Sequence, residues 1–265
     1  MNRLIINYIY ALLLLLPAAW NLTSAQEYRL VWRDDFRGRT LDEDKWSRIT
    51  RGSADWRNYM SLHEGLCEVK GGRLILKAVA NDGLDPSDTA AFLTGGVHTK
   101  GKFAIGLGKV EIRARMESGT SVWPALWMLP RQGRWPDAGE IDIMEHLNND
   151  RFVYQTIHTG YTHTLKNRAN PLSYVRVEVD AERYNVFGVE VREDCIIFLL
   201  NGKETLRYPR LESGEHAGTV QFPFGSPYYI LMDMQIGGAW VGPAVGKDLP
   251  VNMYIDWIKV YEKVE

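Results

Sequence analysis

Glu140-Ile141-Asp142-Ile143-Met144-Glu145 sets β-branched residues between acids, the composition of a strand rather than a helix. Successive strand side chains point to opposite faces, so Glu140 and Asp142 share one face while Ile141 and Ile143 take the other. Glu145 breaks that parity. In regular register it would join the isoleucines in the core, where an unpaired carboxylate costs several kcal/mol or is neutralised by a shifted pKa. A one-residue β-bulge around Met144 resolves the conflict, returning Glu145 to the acidic face and turning Met144 toward the apolar side.

Three carboxylates on one surface raise one another's proton affinity. A reaction that needs one ionised and one protonated acid at the same pH is served by that crowding, and glycoside hydrolysis is such a reaction. Retaining enzymes hold their two carboxyls about 5–5.5 Å apart and inverting ones about 6.5–9.5 Å, so neighbours on one curved strand favour retention. The expected roles are Glu140 as nucleophile, Glu145 as general acid/base and Asp142 as the assisting group between them. A solvated outer face of an antiparallel sheet is the plain alternative for the hexapeptide alone.

The flanks argue against that alternative. Ser121-Val122-Trp123-Pro124-Ala125-Leu126-Trp127-Met128-Leu129-Pro130 precedes the acids, and Trp135-Pro136-Asp137-Ala138-Gly139 leads into them. Indole faces stack on the apolar CH faces of sugar rings. Trp123 and Trp135, each followed by proline in a loop-like setting, are the candidate sugar platform. Trp127, among Leu126, Met128 and Leu129, is at least as well suited to the core.

Further out, short alternating runs recur between turn signals such as Lys70-Gly71-Gly72, Asn81-Asp82-Gly83, Glu117-Ser118-Gly119 and Asn201-Gly202. Arg73 to Lys77, Val110 to Arg115, Tyr184 to Val191, Ile196 to Leu200 and Tyr228 to Met234 are predicted strands. No internal repeat, low-complexity tract or linker interrupts them. An all-β antiparallel β-sandwich follows, with so many evenly spaced strands suiting a two-sheet jelly roll. The 265 residues, 45% hydrophobic and 24% charged, suffice for one sizeable core. A net charge of −2 without a basic cluster argues against nucleic acid as a partner and against an acidic membrane surface.

Residues 1–25 read as a signal peptide: Arg3 supplies a positive start, Leu4 to Trp20 is mostly apolar, and Thr23-Ser24-Ala25 offers a cleavage site. Asn7 and Pro17 weaken the alternative of a membrane anchor. Export to the periplasm, cell surface or medium is expected, leaving residues 26–265 as a single catalytic domain, without a membrane span and acting as a monomer. Cys67 and Cys195 sit in strand-like segments where buried thiols are as plausible as a disulfide, and no Cys or His spacing suits zinc.

Taken together, these motifs resemble glycoside hydrolase family 16, in its bulged, laminarinase-like branch. The resemblance begins at Leu30-Val31-Trp32-Arg33-Asp34-Asp35-Phe36 and continues through Gly108-Lys109-Val110-Glu111-Ile112-Arg113-Ala114-Arg115 and the acidic hexapeptide. It closes with Ile236-Gly237-Gly238-Ala239-Trp240 and Met253-Tyr254-Ile255-Asp256-Trp257-Ile258-Lys259-Val260-Tyr261. The family's nucleophile, assisting aspartate and acid/base match Glu140, Asp142 and Glu145. The resemblance implies a jelly roll with a long cleft across its concave sheet, open to polymer interiors and so suited to endo cleavage. It also implies that Asn58 is a cleft residue and that Trp240 closes the negative subsites. His158, on the strand expected to follow the catalytic one, is placed to reach the sugar or the acid/base, with a structural histidine as the alternative.

Some family members hold a structural calcium, and Asp35 and Asp256 resemble its carboxylates. Two acids and a carbonyl fall short of the six to eight oxygens calcium takes, so such an ion would be at most stabilising. The reaction itself needs no cofactor. Arg51 to Met60 and Tyr161 to Pro171 depart from plain glucan-cutting members. They look more like relatives that cleave internal β-galactosidic bonds, as in poly-N-acetyllactosamine or mucin-type O-glycans, with endo-β-1,3-glucanase as the alternative. A silent lectin-like module predicts loss of an acid, and all three are present.

Overall fold

The computed structural model describes residues 28–264; the expected signal peptide lies outside them. The chain runs through β1 (Tyr28–Asp34), β2 (Ser47–Arg48), β3 (Cys67–Val69), β4 (Leu74–Ala80), β5 (Phe92–Thr94), β6 (Gly96–His98), β7 (Gly108–Met116) and β8 (Ala125–Pro130). It continues through β9 (Glu140–Glu145), β10 (Phe152–His158), β11 (Tyr174–Glu178), β12 (Asn185–Val191), β13 (Cys195–Leu200), β14 (Lys203–Pro209), β15 (Tyr228–Asp233) and β16 (Val251–Lys263). Helical structure among the described residues is limited to short turns at Asp55–Arg57, Glu64–Leu66 and Gly160–Thr164. None of it is long and apolar enough to cross a membrane.

Two antiparallel sheets form the sandwich predicted from the turn spacing. The outer sheet is ordered β14-β13-β12-β7-β16-β4-β3, with β1 also on β16 and β5 also on β4. The cleft-bearing sheet is ordered β11-β10-β9-β8-β15-β6-β2. Strand β7 shows why they pack: Val110, Ile112, Ala114 and Met116 are buried, and the residues between them are not. They meet Leu126, Met128, Ile141, Ile143, Met144, Ile230 and Met232 from the other sheet in one apolar cluster. Removing each of the large side chains from water contributes about 1.5–3 kcal/mol.

A second, smaller cluster forms on the far face of the cleft-bearing sheet, where Ile49, Met60, Ala125, Trp127, Tyr229 and Leu231 pack together. Strand period explains the division: on β8, Leu126 and Met128 enter the main core while Ala125 and Trp127 point the other way. Trp127 is therefore buried, but in the floor of the cleft rather than between the sheets. Cys67 and Cys195 are both buried and free. They lie on β3 and β13, five strand spacings apart in the outer sheet, and at about 4.8 Å per spacing no disulfide could span the gap.

Candidate active site

The predicted bulge is present on β9. Tyr154 of β10 opposes Glu145 and Thr156 opposes Asp142, so Ile143 and Met144 together face Gln155 alone. On the other side, Leu126 opposes Met144 and Trp127 opposes Asp142, which identifies Ile143 as the extra residue. Ile141, Ile143 and Met144 all join the main core, and Glu140, Asp142 and Glu145 all line the cleft. A bulge interrupts the backbone ladder and strands a carbonyl. Here Gln155, fully buried, donates from Nε2 to the Ile143 carbonyl at 3.1 Å and accepts from the Thr205 hydroxyl of β14 in the other sheet.

Entry into β9 depends on Gly139. Its φ is +85°, and a Cβ there would come within 2.5 Å of the Tyr228 hydroxyl, which donates to the Ala138 carbonyl. An L side chain would be strained in its backbone and blocked in space.

The cleft holds about 500 Å³ between Trp56, Trp123, Trp127, Trp135 and Trp240, with the three acids, His158 and Gln235 along it. Trp123 is half-buried and donates from Nε1 to Glu145 Oε1 at 3.0 Å, while Glu145 Oε2 is buried with no partner. Trp135 and Trp240 are 52% and 45% exposed, as rim residues open to a ligand would be. Trp240 meets Trp123 edge-on at 5.3 Å between ring centroids and Tyr154 at 5.1 Å. Its loop is tied to the opposite wall by Ala239 N–H, which donates to Asp55 Oδ2 at 2.8 Å.

Burial and mutual repulsion push every acid upward. Desolvation, then the charge of Asp142, raises Glu140 to about 8. Desolvation chiefly raises Asp142 to about 7 against its hydrogen bond with Glu140. Glu145 is held well above the carboxylate range by burial and by both neighbours, with the Trp123 indole opposing. Glu140 and Asp142, as close neighbours, compete for protons as a pair, and burial gives Glu145 a proton affinity above that of an ordinary carboxylate. His158, opposite Glu140 on β10, brings Nε2 to 3.2 Å from Asp142 Oδ2, and burial lowers its own pKa.

Several residues were not anticipated from the sequence. Asp233 on β15 is fully buried and raised to about 7 by desolvation; it accepts from Trp127 Nε1 at 2.7 Å and from Gln235 Nε2 at 2.6 Å. A lone acid in the apolar run Tyr228 to Met234 was the available signal. Tyr154 and Thr156 share the acids' face by register. A second hollow of about 400 Å³ continues the cleft over β10 and β11, lined by Tyr154, His158, His163, Arg168, Tyr174 and Trp240 among others. His163 packs 4.5 Å from Trp135, which brings the unusual segment Tyr161 to Pro171 to the cleft wall.

The Asn58 amide serves its own loop. Oriented to donate, its amide bonds the Ala54 and Gly52 carbonyls at 3.3 and 3.1 Å, closing its own loop. Ala54 and Trp56 line the cleft from that loop instead. The two calcium candidates do not fit a cation site: Asp35 is paired with Arg33 at 2.8 Å and Asp256 with Arg113, so each carboxylate already faces a guanidinium. Among the described residues, Glu140, Asp142 and His158 offer donor atoms within 4.8 Å of one another, enough to meet one cation. An ion there would engage the carboxylate oxygens of the acid triad itself.

Comparison with known proteins agrees with this architecture. A profile of the XgeA-like, catalytic GH16 domain matches residues 94–193. A keratan-sulfate endo-1,4-beta-galactosidase of Sphingobacterium multivorum is 34% identical over 89% of this chain, which spans 56% of that relative's length. A beta-glucanase of Rhodothermus marinus is 34% identical over 91% of this chain and 87% of its own length. The X-ray structure of a laminarinase from Rhodothermus marinus superposes with a TM-score of 0.80 at 29% identity, covering 91% of this chain and all of that one. With an acid-bearing bulged strand in an indole-lined cleft and relatives of this closeness, the chain belongs to glycoside hydrolase family 16.

Proposed function

We propose that this chain is a retaining endo-β-glycosidase working by double displacement. The observation that carries the reading is the bulge at Ile143, which sets Glu140, Asp142 and Glu145 along one wall of an aromatic cleft. Glu140, ionised when Asp142 holds their shared proton, attacks the anomeric carbon. Glu145 gives its proton to the departing glycosidic oxygen; Oε1 is held by Trp123, which leaves Oε2 for that transfer. The glycosyl ester on Glu140 then breaks when water attacks the same carbon and yields its proton to Glu145. His158 and Asp142 steady the charge on Glu140 through the cycle. Trp123, Trp135 and Trp240 stack on the sugars.

The substrate reading leans to internal β-galactosidic bonds of poly-N-acetyllactosamine or mucin-type O-glycans. Support comes from the segment Tyr161 to Pro171, whose His163 and Arg168 shape the second hollow, and from the galactosidase relative. The glucanase relative, equally identical, favours endo-β-1,3-glucan cleavage as the second reading. Residues 26–265, acting after export, should be tested on both glycans and on laminarin with Glu140→Gln as blank. Oligosaccharides from the galactose-containing glycans alone support the first reading, and oligosaccharides from laminarin alone replace it with the second. The NMR signal of the first-formed reducing end decides the mechanism: a β-anomer means retention, and an α-anomer would sink the covalent route.

A further inference from the structure

Gln235 follows β15 at the cleft floor, its backbone bonded in both directions to that of Trp123. The residue is 2% exposed and lines the cleft. The amide nitrogen donates to Asp233 Oδ1 at 2.6 Å, and the amide oxygen is buried without a partner. Asp233 Oδ2 is already taken by the Trp127 indole, so the carboxylate is clamped between two donors and cannot swing away. An amide whose nitrogen faces a fixed carboxylate cannot turn over, because its oxygen would then oppose another acceptor. A buried acceptor left unpaired costs free energy that a ligand hydroxyl can relieve.

We propose that Gln235 is a specificity-determining acceptor whose amide oxygen takes a hydrogen bond from a hydroxyl of the sugar seated beside Trp123, with Asp233 as the positioning residue that fixes the amide in that sense. This rests on the glycosidase reading. It gives the cleft a chemical filter, since a site with a preset acceptor rejects a sugar lacking the matching hydroxyl. Stacking on tryptophan alone would tolerate that loss.

The test uses oligosaccharides of whichever glycan the wild type cleaves, together with monodeoxy analogues that lack one hydroxyl at a time around the scissile bond. Rates are compared at pH 8, above the value of about 7 to which burial raises Asp233, so that its carboxylate is charged. For the wild type, kcat/KM should drop roughly 10- to 100-fold at one deoxy position. Gln235→Met should lose a similar factor on the parent and nothing further at that position, the loss falling mainly on KM. Asp233→Asn, whose amide lets Gln235 turn over, should weaken discrimination at the same position, which a merely structural role would not do; it serves equally if Gln235→Met fails to fold. Losses that simply multiply at every deoxy position, or wild-type rates for Gln235→Met, would overturn the inference. A wild type silent on every glycan would instead overturn the proposed reaction, and the inference with it.

Discussion

The two sheets treat the same carboxylate chemistry in opposite ways. On the outer sheet, Glu111 lies 2.9 Å from Lys109, Glu68 is 2.8 Å from Lys77, Glu190 pairs with Arg192 and Asp256 with Arg113. Glu68 is accordingly pulled below its usual range by Lys77. In the cleft, Glu140, Asp142, Glu145 and Asp233 have no Lys or Arg partner among the described residues; their neighbours are indoles, an amide and a histidine. All four are raised. Carboxylates matched to cations hold structure, whereas carboxylates buried among neutral donors keep protons available for chemistry.

The sharpest way to break this contrast is Glu140→Gln, which should lower turnover by roughly 10⁴-fold or more while glycan binding holds and the melting temperature at neutral pH is no lower than that of the wild type, because the amide removes a buried carboxylate. Near wild-type kinetics would remove the nucleophile assignment. Glu145→Ala should cost about 10²- to 10⁴-fold on natural glycans, and much less on aryl glycosides whose leaving groups depart without a proton. Equal loss on every leaving group would argue against the acid role.

Asp233 sharpens the comparison through stability. Burial pushes its carboxyl up to about 7, against 3.8 for a free side chain. Between those values the folded chain holds a proton that the unfolded chain has released, so this group makes stability fall as pH rises from about 4 to 7. Asp233→Asn removes that dependence. Denaturation of both proteins across the window should show the variant gaining on the wild type as pH rises; a constant gap would mean an unperturbed Asp233. The smallest effect belongs to the outer sheet. Glu68→Gln should reduce stability by at most about 1 kcal/mol in urea and leave kcat/KM unchanged.

Much of this was legible in one hexapeptide. The parity conflict at Glu145 required an irregular strand, and β9 carries one. Alternation in Val110 to Arg115 and the apolar run Tyr228 to Met234 marked two central strands whose observed bounds, Gly108–Met116 and Tyr228–Asp233, differ by a few residues. Trp127 was harder to read: both cleft floor and core are dry, and apolar neighbours in sequence do not say which face of a sheet a side chain takes. For Asn58 the sequence could not show the bonds its amide makes to the Ala54 and Gly52 carbonyls, because only the loop's path brings those groups together. Gln155 escaped notice because its partners, the Ile143 carbonyl and Thr205, come from another strand and another sheet.

The sequence by itself determined the sandwich, the acid triad and the indole platform, since strand period, bulge parity and residue chemistry are local properties. Only the tertiary structure decided which hydrogen bonds each acid receives, that Asp233 and Gln235 join the site from β15, and that the segment Tyr161 to Pro171 reaches the cleft wall. Those depend on strands distant in sequence becoming neighbours, and on a low-dielectric interior that exists only after both sheets have closed over their core.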